Sequence, residues 1–263
     1  VLPYGIAFAI VLICTLCADR TTLRDVDYSL LLTFVAFFVK GVCGFANTLV
    51  FTSILSYGTA NVNISPTELL IGYPMNLLMT WNNRKELKTK VWLPLSLLVL
   101  FGSIPGAFIL KNVDAGIIKV FFGIVVSVLG VQMFLQEYQH KTSKPSKITM
   151  LIMGIVGGML CGLFGVGAML GVCVTRMTDT MTEFKGNVSM VFAVENTTRL
   201  ITYAVLGLFT MSAIRTAMIL IIVALIGMFA GMQCSKFMKD TTVKKIVIIL
   251  LILSGISLII QNI

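Results

Sequence analysis

Apolar runs alternate with short polar intervals along almost the whole chain. The runs cover 4–18, 28–58, 65–83, 91–110, 115–136, 148–175, 186–207, 212–235 and 242–260. One straight crossing of a bilayer takes about 20 apolar residues in a helix, and most of these runs have that length. None alternates at period two between turn signals, so a transmembrane barrel is excluded and every run is expected to be helical. The first run is as short as a secretory leader, but no basic stretch precedes it, and it reads as an ordinary first span. Two runs, 28–58 and 148–175, exceed the length of one straight crossing.

Both long runs carry glycine in the middle. The second contains Cys161-Gly-Leu-Phe-Gly-Val-Gly-Ala-Met-Leu-Gly171, and a weaker copy, Lys40-Gly-Val-Cys-Gly-Phe-Ala-Asn47, lies 121 residues earlier. Gly41 and Gly44 stand opposite Gly162 and Gly165, with Gly167 next in the second copy. A glycine costs a helix interior about 1 kcal/mol. Clusters at membrane depth therefore indicate either close helix contact or a broken, re-entrant backbone lining a cavity. The correspondence continues: Gly102-xxx-Gly106 parallels Gly227-xxx-Gly231, Asp114 and Lys119 parallel Asp240 and Lys245, and Gly130 parallels Gly255. This is the pattern of a duplicated four-segment unit. It divides the chain into an extra N-terminal helix and loop (1–27), a first membrane repeat (28–136), a linker (137–147) and a second repeat (148–263). The match is uneven, since Pro66, Pro74, Pro94 and Pro105 have no counterparts.

Composition agrees with the runs. The chain is 57% hydrophobic and only 12% charged, which leaves room for one membrane domain. The net charge of +9 does not point to nucleic acid, because Lys and Arg gather in the loops, as the positive-inside rule requires. If every run crosses, that rule gives no bias. If each long glycine run enters and returns on one side, thirteen basic residues fall inside and five outside, with Lys40 and Arg199 left in the membrane. Three crossings per repeat would then make the halves inverted, and the linker cytoplasmic. A parallel four-plus-four arrangement is the alternative.

A charge inside a membrane is costly and points to function. Lys40 precedes Gly41 in an apolar run, where it either snorkels to the interface or meets an anion. Glu195 and Arg199 lie one helical turn apart with Asn196 between them. They either neutralise each other, or Arg199 clamps an oxyanion and Glu195 carries a coupling proton. Asn47, Asn76 and Asn196 are polar partners near the same helix ends, as is Asn82. Backbone N–H groups at broken helix N-termini would add anion binding without side chains. This makes Lys40, Gly41, Gly44, Asn47, Asn76, Gly162, Gly165, Gly167, Asn196 and Arg199 the candidate binding residues, with Glu195 for coupling. The six cysteines form no disulfide or zinc framework. Cys14 and Cys17 have the spacing of a redox pair, and with Cys43 and Cys161 they keep open a membrane thiol enzyme as a second reading. No metal-ligand cluster, catalytic triad or phosphate loop is present in the sequence, and no cofactor is expected.

The run Gly158-Met-Leu-Cys-Gly162-Leu-Phe-Gly165-Val-Gly167 and the segment Arg199-Leu-Ile-Thr-Tyr203-Ala-Val-Leu-Gly207 resemble the TauE/SafE family of membrane permeases, also called the toluene-sulfonate uptake family. The resemblance covers nearly all of 28–262. Where the family has consecutive glycines followed by proline, this chain has Gly44-Phe-Ala-Asn47 and Gly167-Ala-Met-Leu. The resemblance implies a multi-pass protein of the cell membrane and not an enzyme. It implies a secondary transporter of sulfite, sulfonates or related small organic anions, working by alternating access between the repeats. The coupling ion would be H+ or Na+. A passive anion channel is a further alternative.

Overall fold

The computed structural model describes residues 25–45, 47–48, 51, 61–112, 147–164 and 167–239, with scattered positions at 120–135 and 241–260. All regular structure among them is helical. The expected segments 4–18, 115–136 and 242–260, most of the linker 137–147, and Gly165 lie wholly or largely outside the described residues.

Seven α-helices are described. α1 is Asp25–Cys43, α2 Asn61–Asn82, α3 Thr89–Asn112, α4 Lys147–Phe164, α5 Ala168–Thr175, α6 Met181–Val205 and α7 Met211–Lys236. Both long glycine runs are interrupted. α1 stops at Cys43, where Gly44 takes a φ of +89°, a conformation open to glycine because it lacks Cβ. The 148–175 run holds two helices, α4 ending at Phe164 and α5 starting at Ala168, with Gly167 capping the second. Hydroxyl caps start α6 and α7: Thr180 Oγ1 accepts from Glu183 N at 3.2 Å and Thr210 Oγ1 from Ala213 N at 3.1 Å. Each satisfies an N–H that the helix leaves orphaned.

Glycine sets the two closest helix pairs. A Cβ on Gly227 would meet the Phe34 carbonyl at 2.6 Å, and one on Gly231 would strike that of Phe38. The contact advances four residues on both helices, so α1 and α7 run parallel. In the other pair, Gly154 and Gly158 of α4 press on Leu98 and Val99, while Gly102 and Gly106 of α3 press on Ile155 and Met159. α3 and α4 are also parallel. Ser65 with Tyr203 and Tyr73 with Thr197 make α2 and α6 antiparallel neighbours. Thus α1 pairs with the third segment of the second half, and α4 with the third of the first.

One end of the bundle is stapled between halves. Lys88 N donates to Asn187 Oδ1 at 2.9 Å, and Asn187 Nδ2 donates to the Glu86 carbonyl at 3.0 Å. Lys88 Nζ reaches Glu183 at 2.9 Å and Asp179 at 3.5 Å. The end of α7 lies there too, because Lys185 Nζ donates to Ser235 Oγ at 2.9 Å.

Two described helices are by themselves long and apolar enough to cross a membrane, over Thr89–Gly106 and Met211–Lys236. The shortfall elsewhere has a physical origin. α1 and α4 are cut short by their breaks, and α2 and α6 carry buried polar residues. Outward, α7 exposes Met211, Met218, Ile219, Ile222 and Phe229, a surface suited to lipid rather than water.

Candidate functional site

The buried stripe of α6 begins apolar with Phe184, Val188 and Val191, and then turns polar with Glu195, Arg199 and Tyr203. The last three follow at intervals of four, so they lie on one face. Opposite them, α2 presents Ser65, Glu68 and Asn76, all buried. Lys40, in the last turn of α1, and Asn47 and Thr48, after the break, fill the space between. Lys40, Glu195 and Arg199 are each 1% exposed and Glu68 3%, so these charges are removed from water and must satisfy one another.

Lys40, Glu68 and Arg199 do so through a continuous chain of hydrogen bonds. Lys40 Nζ donates to Asn76 Oδ1 at 2.6 Å and to Asn47 Oδ1 at 3.0 Å. Asn47 Nδ2 donates to Glu68 Oε1 at 2.7 Å, and Thr48 Oγ1 donates to the same oxygen at 2.6 Å. Glu68 Oε2 accepts from Arg199 NH2 at 3.1 Å, while Arg199 NH1 donates to the Cys161 carbonyl at 2.8 Å. Tyr203 adds bonds to the Gly162 carbonyl and to Ser65 Oγ, both at 2.9 Å. From Ser65 to Asn76 the network follows α2 for about 16 Å, at 1.5 Å rise per residue. That is roughly half the hydrocarbon thickness of a bilayer.

Several expectations need correction. Arg199 takes Glu68, not Glu195, as its close partner: Glu195 Oε1 lies 4.0 Å from Arg199 Nε, and neither atom has a hydrogen-bond partner among the described residues. Lys40 does not snorkel. It turns inward to two carboxamides, and no described carboxylate comes within 4.0 Å of its ammonium. The described glycines Gly41, Gly44, Gly162 and Gly167 are each engaged by packing or by hydrogen bonds of their own backbone. Gly41 is a packing residue, since a Cβ there would strike the Met228 carbonyl of α7. Gly44 N donates to the Lys40 carbonyl at 2.6 Å, and a Cβ on Gly167 would strike the Phe192 ring. Gly162 contributes a carbonyl, an acceptor for Tyr203. The breaks therefore bring carbonyl ends, the negative ends of the helix dipoles, to cations on α6. Arg199 takes the Cys161 carbonyl, and Lys185 Nζ takes that of Gly41 at 3.2 Å.

Lys40, Asn47, Asn76, Gly162 and Arg199 thus come together, with Glu195 at the edge and Asn196 buried beside it. Asn82 is exposed at the stapled end. Glu68, Thr48 and Ser65 were not singled out from the sequence. The signal for Glu68 was present in the four-residue spacing of Glu68, Gly72 and Asn76 along one helix face. Cys43, Cys161 and Cys173 are buried free thiols; Cys14 and Cys17 lie outside the described residues.

Outside the membrane core, the staple has ordinary electrostatics. The hydrogen bond from Lys88 holds the Glu183 carboxyl below its usual value of 4.5, and the same bond raises Lys88 above 10.5.

The chain matches the family model described as sulfite exporter TauE/SafE over residues 29–258. No curated protein and no solved structure matches it.

Proposed function

The chain belongs to the TauE/SafE sulfite exporter family, and from that premise we propose a secondary transporter of small sulfur-containing or organic anions, sulfite and sulfonates foremost. Membership makes it a membrane transport protein; the substrate, the coupling and residence in the cell membrane are our reading. The observation that carries the substrate class is Lys40. A buried ammonium held directly by two neutral amide oxygens, with no described carboxylate at ion-pair distance, is open to an anion as its direct partner. Asn47, Asn76 and Arg199 surround it with further hydrogen-bonding groups.

Alternating access is supported by the reciprocal pairing of halves. α1 pairs with α7 and α4 with α3. α2 and α6, which correspond in our division of the chain, are antiparallel, and this supports reading the repeats as inverted. The breaks in α1 and α1's counterpart α4 then approach the cluster from opposite sides. The proton is the coupling ion we favour over sodium. It would be taken up by a carboxylate beside Arg199, either Glu195, the acid conspicuous in the sequence, or Glu68.

A bound ligand stabilises the folded state by mass action, about 2.7 kcal/mol at a hundred times Kd. Purified protein heated with sulfite, sulfonates and carboxylates should melt higher with the first two. Lys40→Gln should remove that shift. A shift retained in Lys40→Gln would put the anion elsewhere.

A further inference from the structure

Glu68 is held the way a free oxyanion would be held. An amide N–H and a hydroxyl converge on one carboxylate oxygen, and a guanidinium takes the other. The same donors suit a sulfonate or sulfite group. The acid reaches them by folding back over Gly72, one turn along α2. A Cβ on Gly72 would sit 2.9 Å from Glu68 Oε1 and 3.6 Å from Asn47 Nδ2. The missing side chain is the room in which the carboxylate lies.

Charge makes leaving necessary. With Lys40, Arg199, Glu68 and Glu195 all ionised, the cluster sums to zero. A second anion at this depth would leave net negative charge out of water, which is strongly unfavourable. We propose that Glu68 is a tethered competitor of the transported anion: it occupies Arg199, Asn47 and Thr48 between transport events and yields them to the incoming oxyanion. As it leaves, its carboxylate takes a proton from water, and it returns that proton when it docks again. One proton then accompanies each monovalent anion, and no net charge is buried. This rests on the anion-transport reading above and assigns the proton to Glu68 rather than Glu195.

The neighbours that share its field are Lys40 from α1, Cys161 from α4, and Glu195, Arg199 and Tyr203 from α6. Arg215 and Lys236 of α7 are exposed. Competition fixes the sign of the pH dependence. Each anion bound brings one proton with it, so mass action couples anion affinity to proton activity. Anion affinity should therefore rise as pH falls, by up to about tenfold per pH unit.

Methanesulfonate is the probe, because its own charge does not change over about pH 5–8, with sulfite measured alongside at about pH 8; one linked proton registers as a change of Kd with pH. Calorimetry on detergent-purified protein gives Kd. Glu68→Gln is expected to bind about tenfold tighter or more at neutral pH, with no pH slope, since one linked proton is worth about that factor. Glu195→Gln is expected to keep the wild-type slope. Gly72→Ala retains the acid but crowds its carboxylate, and should also tighten binding; it carries the test should Glu68→Gln fail to fold. Unchanged or weaker binding in these variants, or a slope that survives in Glu68→Gln, would overturn the competitor role and leave anion transport standing. If wild-type protein binds neither probe, the transport reading fails, and this inference fails with it.

Discussion

Arg199 uses its two terminal nitrogens on Glu68 and on the Cys161 carbonyl, and its fate in mutants should follow those partners. Breaking one side of a buried ion pair costs about 3–5 kcal/mol, because the other charge stays unpaired. Arg199→Gln should therefore lower the melting temperature sharply. Glu68→Gln combined with Arg199→Gln should recover most of that loss and still not transport, as uptake assays on the folded double variant would show. Recovery of transport would mean that the pair only neutralises itself. Lys40, Glu195 and Arg199 were legible in the sequence because a charge within an apolar run is conspicuous. Glu68 was not, because it lies three residues from the expected start of its span, where an acid reads as interfacial. Its importance depends on Asn47 and Arg199, which only the fold brings to it.

At the scale of helices, the described spans were largely legible from hydropathy. α2, α3, α6 and α7 lie within a few residues of their expected bounds, and the clustered glycines fall where α1 and α4 end. What the glycines do was not legible. Whether a glycine faces a ligand or a neighbouring backbone depends on which helix packs there, and Gly41 meets α7. Gly41→Ala must push two backbones apart, at about 1–3 kcal/mol for an overpacked contact. Its melting temperature should fall while the remaining folded protein binds anion with unchanged Kd. The staple gives a second forecast with a definite sign. Glu183 is held below 4.5 by Lys88, so its contribution is present above that value and fades as pH falls through the lowered one. Glu183→Gln should melt below wild type at neutral pH, with the gap closing in strong acid. Lys88 is shifted upward, so its share is present below 10.5 and fades only in strong alkali.

Over the whole molecule, the charge pattern already favoured one arrangement. Thirteen basic residues share a side only if the long glycine runs return to where they entered. The 84–90 turn, the start of α6 and the end of α7 meet at one end of the bundle, and the arrangement we propose makes that end the basic side. Thr89→Cys and Thr241→Cys, each in a background without the six native cysteines, should react with an impermeant reagent from the same face. Labelling from opposite faces would restore parallel repeats. Uptake retained in that background would also set aside a thiol relay. The most direct measurement is uptake of labelled sulfite by proteoliposomes holding the purified protein, with the inside made alkaline or acidic relative to the outside. Accumulation above the outside concentration, dependent on the pH difference and lost in Lys40→Gln, is the expected result. Flux that only equilibrates sulfite would make the protein a channel, and accumulation undiminished in Lys40→Gln would contradict the site proposed for the anion.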